Sequence, residues 1–146
     1  MKLLILNGPN LNRLGVRETH IYGTKSYEEL VKMSKLWAQE HGFEADVRQS
    51  NHEGILIDLV QCVEMMGYHA LLINPGAYAH YSYALADALR SVSVPKVEVH
   101  LSDIMNRENF RKISVTASAC DKLITGYGFD GYRQAIFYLA KMVREL

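Results

Sequence analysis

Five strand-length segments, Lys2–Asn7, Phe43–Gln49, Ala70–Asn74, Lys96–Leu101 and Cys120–Thr125, alternate along this chain with stretches of helical periodicity. Strands separated by helices cannot form hairpins, so they pair in parallel with the helices laid over the sheet. Right-handed crossovers then leave few topologies. Five strands suit the flavodoxin-like order 2-1-3-4-5, an α/β three-layer sandwich with helices on both faces. The chain has 146 residues and 49% hydrophobic composition, enough for one well-filled core. No linker, repeat or low-complexity tract interrupts it, so residues 1–146 read as a single domain.

The helix signals are local. Ser26-Tyr-Glu-Glu29 reads as a capping box opening a helix to about His41, which Gly42 ends. Ser50-Asn-His-Glu53 has the same form. Its helix is expected to bury Ile55, Leu56, Leu59, Val60, Val63 and Met66, and to stop at Gly67. A third helix is expected from Tyr81 to Val92, a short one near Asn109, and a last one burying Tyr132, Ile136, Leu139, Ala140 and Val143.

In a parallel sheet every strand ends at the same rim, where open α/β folds place ligands. The segment Leu6–Gly23 leaves the first strand as a polar loop, long against the usual two to six residues or so. Arg17 and Tyr22 lie there between Gly15 and Gly23, the composition of a lid. After the third strand come Asn74, Gly76 and His80, with Asp87 in the next helix. The fourth strand ends with Glu98, His100 and Ser102, followed by Arg107 and Arg111. Glu98 and His100 are two apart and share a strand face, so the carboxylate can hold the imidazole ready for proton transfer. Taken singly, Asn10 and Asn74 also serve as strand terminators, the histidines as rim residues, and the arginines as a solvated helix face. Taken together, these side chains suit an anionic, hydroxylated small molecule.

Other classes find little support. A formal net charge of zero argues against a nucleic-acid or anionic-membrane surface. No run reaches membrane-spanning length, and the N-terminus lacks a signal-peptide pattern. Cys62 and Cys120, assigned to a helix and a strand, fit no metal or redox spacing, so a cytoplasmic location with reduced thiols is expected. There is no P-loop, HExxH or GxSxG. Gly126-Tyr-Gly-Phe-Asp-Gly131 formally matches a dinucleotide fingerprint but follows the last strand, and close backbone packing explains it better. A non-catalytic flavodoxin-like module that binds FMN or a signalling partner is the competing reading.

The chain resembles the type II 3-dehydroquinate dehydratases. The resemblance lies in LNGPNLNRLGVRE with Tyr22-Gly23, RQSNHEGILID at Arg48–Asp58 and INPGAYAHYSYALADAL at Ile73–Leu89. It continues through KVEVHLSDIMNRENFR at Lys96–Arg111 and GYGFDGY at Gly126–Tyr132. It implies loss of water from 3-dehydroquinate to give 3-dehydroshikimate through an enolate, in the shikimate or quinate pathway. On the matching positions Tyr22 would be the base and Arg17 its helper. His100 would be the acid, with Glu98 orienting it, and Asn10 would hold a water on the enolate oxygen. Asn74, His80, Asp87, Leu101, Ser102 and Arg111 would bind the substrate, Asp87 by reaching a neighbouring subunit's site. The implied assembly is a dodecamer, a tetramer of trimers, with no metal and no organic cofactor. Three positions depart from the usual pattern: Thr19 replaces a frequent Pro, Ala86 a frequent Arg, and Tyr81 a small hydroxyl residue.

Overall fold

The computed structural model describes residues 1–16 and 18–146, apart from the side chain of Tyr22. Its centre is β1 (Lys2–Asn7), in which Leu3, Leu4, Ile5 and Leu6 are all buried. An unbroken apolar run is what a strand covered on both faces requires. Four more strands join it, β2 (Glu44–Gln49), β3 (Ala70–Asn74), β4 (Lys96–His100) and β5 (Lys122–Thr125). All pair in parallel, in the order β2-β1-β3-β4-β5. The edge strands β2 and β5 are the partly exposed ones.

The alternation of side chains along β1 divides the core in two. Leu3 and Ile5 face helices α2 (Tyr27–Glu40) and α5 (Asp130–Glu145), meeting Leu30, Ala38, Tyr132 and Ile136. Leu4 and Leu6 face α3 (Glu53–Gln61) and α4 (Tyr83–Arg90), meeting Leu56, Val60, Leu85 and Leu89. The result is the expected three-layer sandwich.

Several local expectations need correction. The Ser26 hydroxyl does accept from the Glu29 amide at 3.2 Å, as a capping box should. The Ser50 hydroxyl instead accepts from the amide of His52 at 3.0 Å, and α3 starts at Glu53 with no side-chain cap. Ser50 therefore closes a turn before the helix. Helix α3 ends at Gln61, well short of Gly67, so Met66 falls beyond it and is 45% exposed; Ile55 lies within α3 but off its buried stripe of Leu56 and Val60, at 46% exposed. The helix expected from Tyr81 to Val92 spans only Tyr83–Arg90, and a separate 3-10 segment, Gly76–His80, precedes it. Cys62 caps the end of α3 and Cys120 precedes β5, so neither lies within the element assigned to it. The first loop also contains more order than its composition implies: a 3-10 turn at Leu11–Arg13 and a short helix α1 (Thr19–Tyr22), with Leu11 and Leu14 buried.

Candidate active site

Asn7 and Asn74 pair in register, so β1 and β3 end at the same level where the strand order reverses. The two outgoing loops cross there at close range. A Cβ on Gly8 would lie 2.6 Å from the Pro75 carbonyl oxygen, and one on Gly76 would lie 3.1 Å from that of Pro9. Gly76 also has φ +59, a left-handed conformation that glycine adopts freely. Beneath the crossing, the Tyr132 hydroxyl donates to Asn7 Oδ1 at 2.6 Å and accepts from Asn74 Nδ2 at 2.9 Å. Asn74 Oδ1 then accepts from the Gly76 amide at 3.1 Å. The buried asparagines are thus tied to α5 as well as ending their strands.

Above this platform a cleft opens at the carboxyl rim. Of the residues expected at the site, Asn10, Asn74, His80, His100, Leu101, Ser102 and Arg111 line it together. Arg107 also lines it, and its Nη1 donates to the Ser102 hydroxyl at 3.2 Å. Asn10 has φ 68, a conformation asparagine tolerates, and its amide donates to Asn51 Oδ1 at 3.0 Å. Arg111 Nε lies 2.8 Å from Glu108.

Glu98 sits directly behind His100. Its carboxylate is fully buried and lies 2.8 Å from His100 Nε2, leaving Nδ1 as the ring nitrogen not engaged by Glu98. The hydroxyls of Ser114 and Thr116 donate to the same carboxylate, Ser114 at 2.6 Å. His80 stacks against His100 with ring centroids 6.2 Å apart, and its Nδ1 lies 2.7 Å from the Ile113 carbonyl. Burial pushes the His80 imidazole below its ordinary value, against the Ile113 carbonyl, which favours the charged form. An uncharged His80 at neutral pH suits hydrogen bonding to hydroxyls.

Asp87 does not join this cleft. It is exposed on α4 and pairs with Arg90 at 3.1 Å. Arg17 and the side chain of Tyr22 lie outside the described residues. Sequence reasoning missed Ser114, Thr116 and the active-site face of Tyr132. The first two carry no motif, and the apolar stripe of α5 accounts for Tyr132 without its hydroxyl. Gly126-Tyr-Gly-Phe-Asp-Gly131 serves packing: a Cβ on Gly126 would meet Asp103 at 3.1 Å, and one on Gly131 would meet Val99 at 3.3 Å.

Fold and cleft together define a flavodoxin-like α/β protein with a buried carboxylate–imidazole pair at its ligand rim. The chain belongs to the dehydroquinase class II family, whose sequence pattern matches residues 1–140. It is 53% identical over 146 residues to the 3-dehydroquinate dehydratase of Thermotoga maritima, covering 100% of this chain and 99% of that one. Its identity to the Bacillus cereus 3-dehydroquinate dehydratase is 49% over 144 residues, 99% of this chain and 98% of the relative. The crystal structure of the type II dehydroquinase from Butyrivibrio crossotus superposes with TM-score 0.93 at 51% identity, covering 95% of this chain and 97% of that one.

Proposed function

We propose that this protein is a hydro-lyase that removes water from 3-dehydroquinate to give 3-dehydroshikimate, a step of aromatic biosynthesis. The observation that carries the mechanism is the Glu98–His100 pair, with the carboxylate sealed at the back and the imidazole on the cleft wall. The leaving hydroxyl is β to a ketone, so a base must take a proton from the carbon between them. An acid must then protonate the departing oxygen.

In this reading Tyr22 is the base. An ordinary tyrosine titrates near about 10, so it needs a nearby cation to ionise at neutral pH, the role assigned to Arg17. Both assignments rest on the sequence motif. Asn10 holds a water against the enolate oxygen, where preorganised donors stabilise developing charge. His100 gives its proton to the leaving oxygen while Glu98 stays ionised behind it. The Ser102 hydroxyl and the Leu101-Ser102 amides take the substrate carboxylate. Asn74, His80 and Arg111 take its hydroxyls. All of these except Tyr22, Arg17 and Glu98 line the described cleft.

The proposal extends to the whole chain as one domain, working in the cytoplasm, and to assembly as a dodecamer in which Asp87 completes a neighbouring site. Its support is the exposure of Asp87 and the large apolar side chains left uncovered on the outer elements, among them Ile55, Met66, Tyr81 and Tyr83. Twelve chains of 16.6 kDa would sediment as about 199 kDa.

The test of function is an ultraviolet assay with 3-dehydroquinate and no added cofactor. The product is a conjugated enone carboxylate, so absorbance should rise with wild type and stay flat with a well-folded Tyr22→Phe. A Tyr22→Phe enzyme of near wild-type activity would remove Tyr22 from the role of base. A flat wild-type trace would remove the reaction.

A further inference from the structure

Glu98 is held by more than its histidine. Residues Ile113 to Thr116 run as a strap across the rear of the cleft, anchored where the Val115 amide donates to the Ala79 carbonyl at 2.7 Å. The Ile113 carbonyl meets His80 Nδ1. Ser114 Oγ donates to Glu98 Oε2 at 2.6 Å, the oxygen that also faces His100 Nε2, and Thr116 Oγ1 donates to Oε1. Thr116 and Glu98 are both wholly buried. Ser114 Oγ also accepts from the Ala117 amide at 3.1 Å and lies 3.2 Å from Thr116 Oγ1; the nearer, charged carboxylate oxygen is the stronger acceptor for its single hydrogen.

A proton shared by Glu98 and His100 has two places to reside. On His100 it makes an ion pair, and on Glu98 it makes two neutral groups. Burial favours the neutral arrangement. Donors aimed at both carboxylate oxygens favour the ion pair, because an ionised carboxylate only accepts. We propose that Thr116 and Ser114 are positioning residues whose hydroxyls keep this shared proton on His100, from which it can pass into the cleft. The inference rests on the functional reading given above for what the proton then does. His100 Nδ1–H protonates the departing oxygen as the carbon–oxygen bond breaks with its electron pair on oxygen. Water leaves, and a neutral imidazole remains with Nε2–H on the carboxylate.

The other charged or titratable groups near the pair are His80, Arg107 and Arg111 on the cleft wall, and Cys120 with Lys96 acting on it. His80 is kept largely neutral by burial, and Arg111 acts on it from the loop after β4. The Cys120 thiol is pushed up to about 12, first by burial and then by Glu98, so it stays protonated; Lys96 opposes that shift.

Thr116→Val keeps the side chain's shape and removes the donor, whereas Thr116→Ser keeps the donor. A hydrogen bond to a buried charge shifts such a balance by about ten- to a hundredfold. Thr116→Val should therefore lower the kcat plateau about tenfold or more with little change in KM. Because the carboxylate becomes more basic, the alkaline limb of the kcat profile should also move up, by about one pH unit. Exchange of the substrate's abstracted proton with solvent should fall less than water loss. Thr116→Ser should restore both plateau and limb. Simple structural damage lowers the plateau without moving the limb.

An unchanged profile in Thr116→Val overturns the proposal, as does a Thr116→Ser enzyme that fails equally. Should Thr116→Val not assemble, Ser114→Ala removes the donor on the other oxygen and carries the same expectations. If wild type does not turn over 3-dehydroquinate, the functional reading fails separately. The imidazolium signal of His100 in 15N-histidine spectra, assigned by its loss in His100→Asn, then decides proton placement. It must fall in Thr116→Val and return in Thr116→Ser, and an unchanged signal overturns the proposal.

Discussion

Tyr132→Phe tests whether the platform beneath the cleft is held by one hydroxyl. The ring lies in the core between α5 and the sheet, fully buried, and phenylalanine fills the same space. What is lost is a donor to Asn7 Oδ1 at 2.6 Å and an acceptor for Asn74 Nδ2 at 2.9 Å. Asn7 is 0% exposed and Asn74 2%, so water does not readily replace the hydroxyl at either. Each buried polar group left unpaired costs about 1–3 kcal/mol. Asn7 Nδ2 keeps a long contact of 3.5 Å to the Tyr27 hydroxyl and Asn74 Oδ1 keeps the Gly76 amide, so the loss is partial at each residue. About 3 kcal/mol in total is the expected destabilisation. For a chain of this size that lowers Tm by about 6–12 °C, compared at fixed protein concentration because assembly contributes to stability. Tyr127→Phe is the control: Tyr127 is 59% exposed and should shift stability by less than about 0.5 kcal/mol. Asn74 lines the cleft, so KM for 3-dehydroquinate should rise several-fold while kcat falls less. A Tyr132→Phe protein melting within about 1 °C of wild type would refute the reasoning, since a buried network cannot lose its shared member at no cost.

Three further outcomes follow from the same geometry. Gly8→Ala would place a Cβ 2.6 Å from a backbone oxygen and should part the crossing loops, costing about 1–3 kcal/mol or more in urea denaturation and most of kcat/KM; unchanged values would contradict the close approach. The raised Cys120 thiol contributes stability that is fully present below its unfolded value near 9.0 and lost as pH climbs toward about 12. The stability difference between wild type and Cys120→Ala should accordingly be flat below pH 9 or so and shift against wild type above it, and a constant difference would argue otherwise. His80 is depressed by burial, so its contribution is present above its unfolded value of 6.5 and lost as pH falls below that through its folded value. An NMR titration should give His80 a midpoint below 6.5, and a midpoint at or above it would overturn the burial argument.

The legible parts of this chain were those whose cause is local or periodic. Leu3–Leu6 and Ala70–Ile73 read as central strands because a strand buried on both faces must be apolar throughout. Parallel pairing followed from the helices between strands, and the cleft's position from the rim at which parallel strands end. Glu98 and His100 were legible as a pair because a spacing of two fixes a shared face. Ser26 and Ser50 mark the boundary of such reasoning. The two motifs are alike in sequence, yet only Ser26 caps a helix: the Ser50 hydroxyl accepts from the His52 amide and closes a turn, and α3 begins just after it, at Glu53.

The amino-acid sequence by itself determined the sheet, its helices, the family and the rim that carries the chemistry, since propensity, periodicity and motif all act over short spans. Only the tertiary structure decided what surrounds Glu98 and what holds Asn74. Ser114 and Thr116 reach the carboxylate from 16 and 18 residues away, and Tyr132 reaches Asn7 across 125. No short-range pattern encodes those meetings, because each arises where separately folded elements are packed against one sheet, and a hydroxyl acquires its role only from the buried charge or amide it then faces.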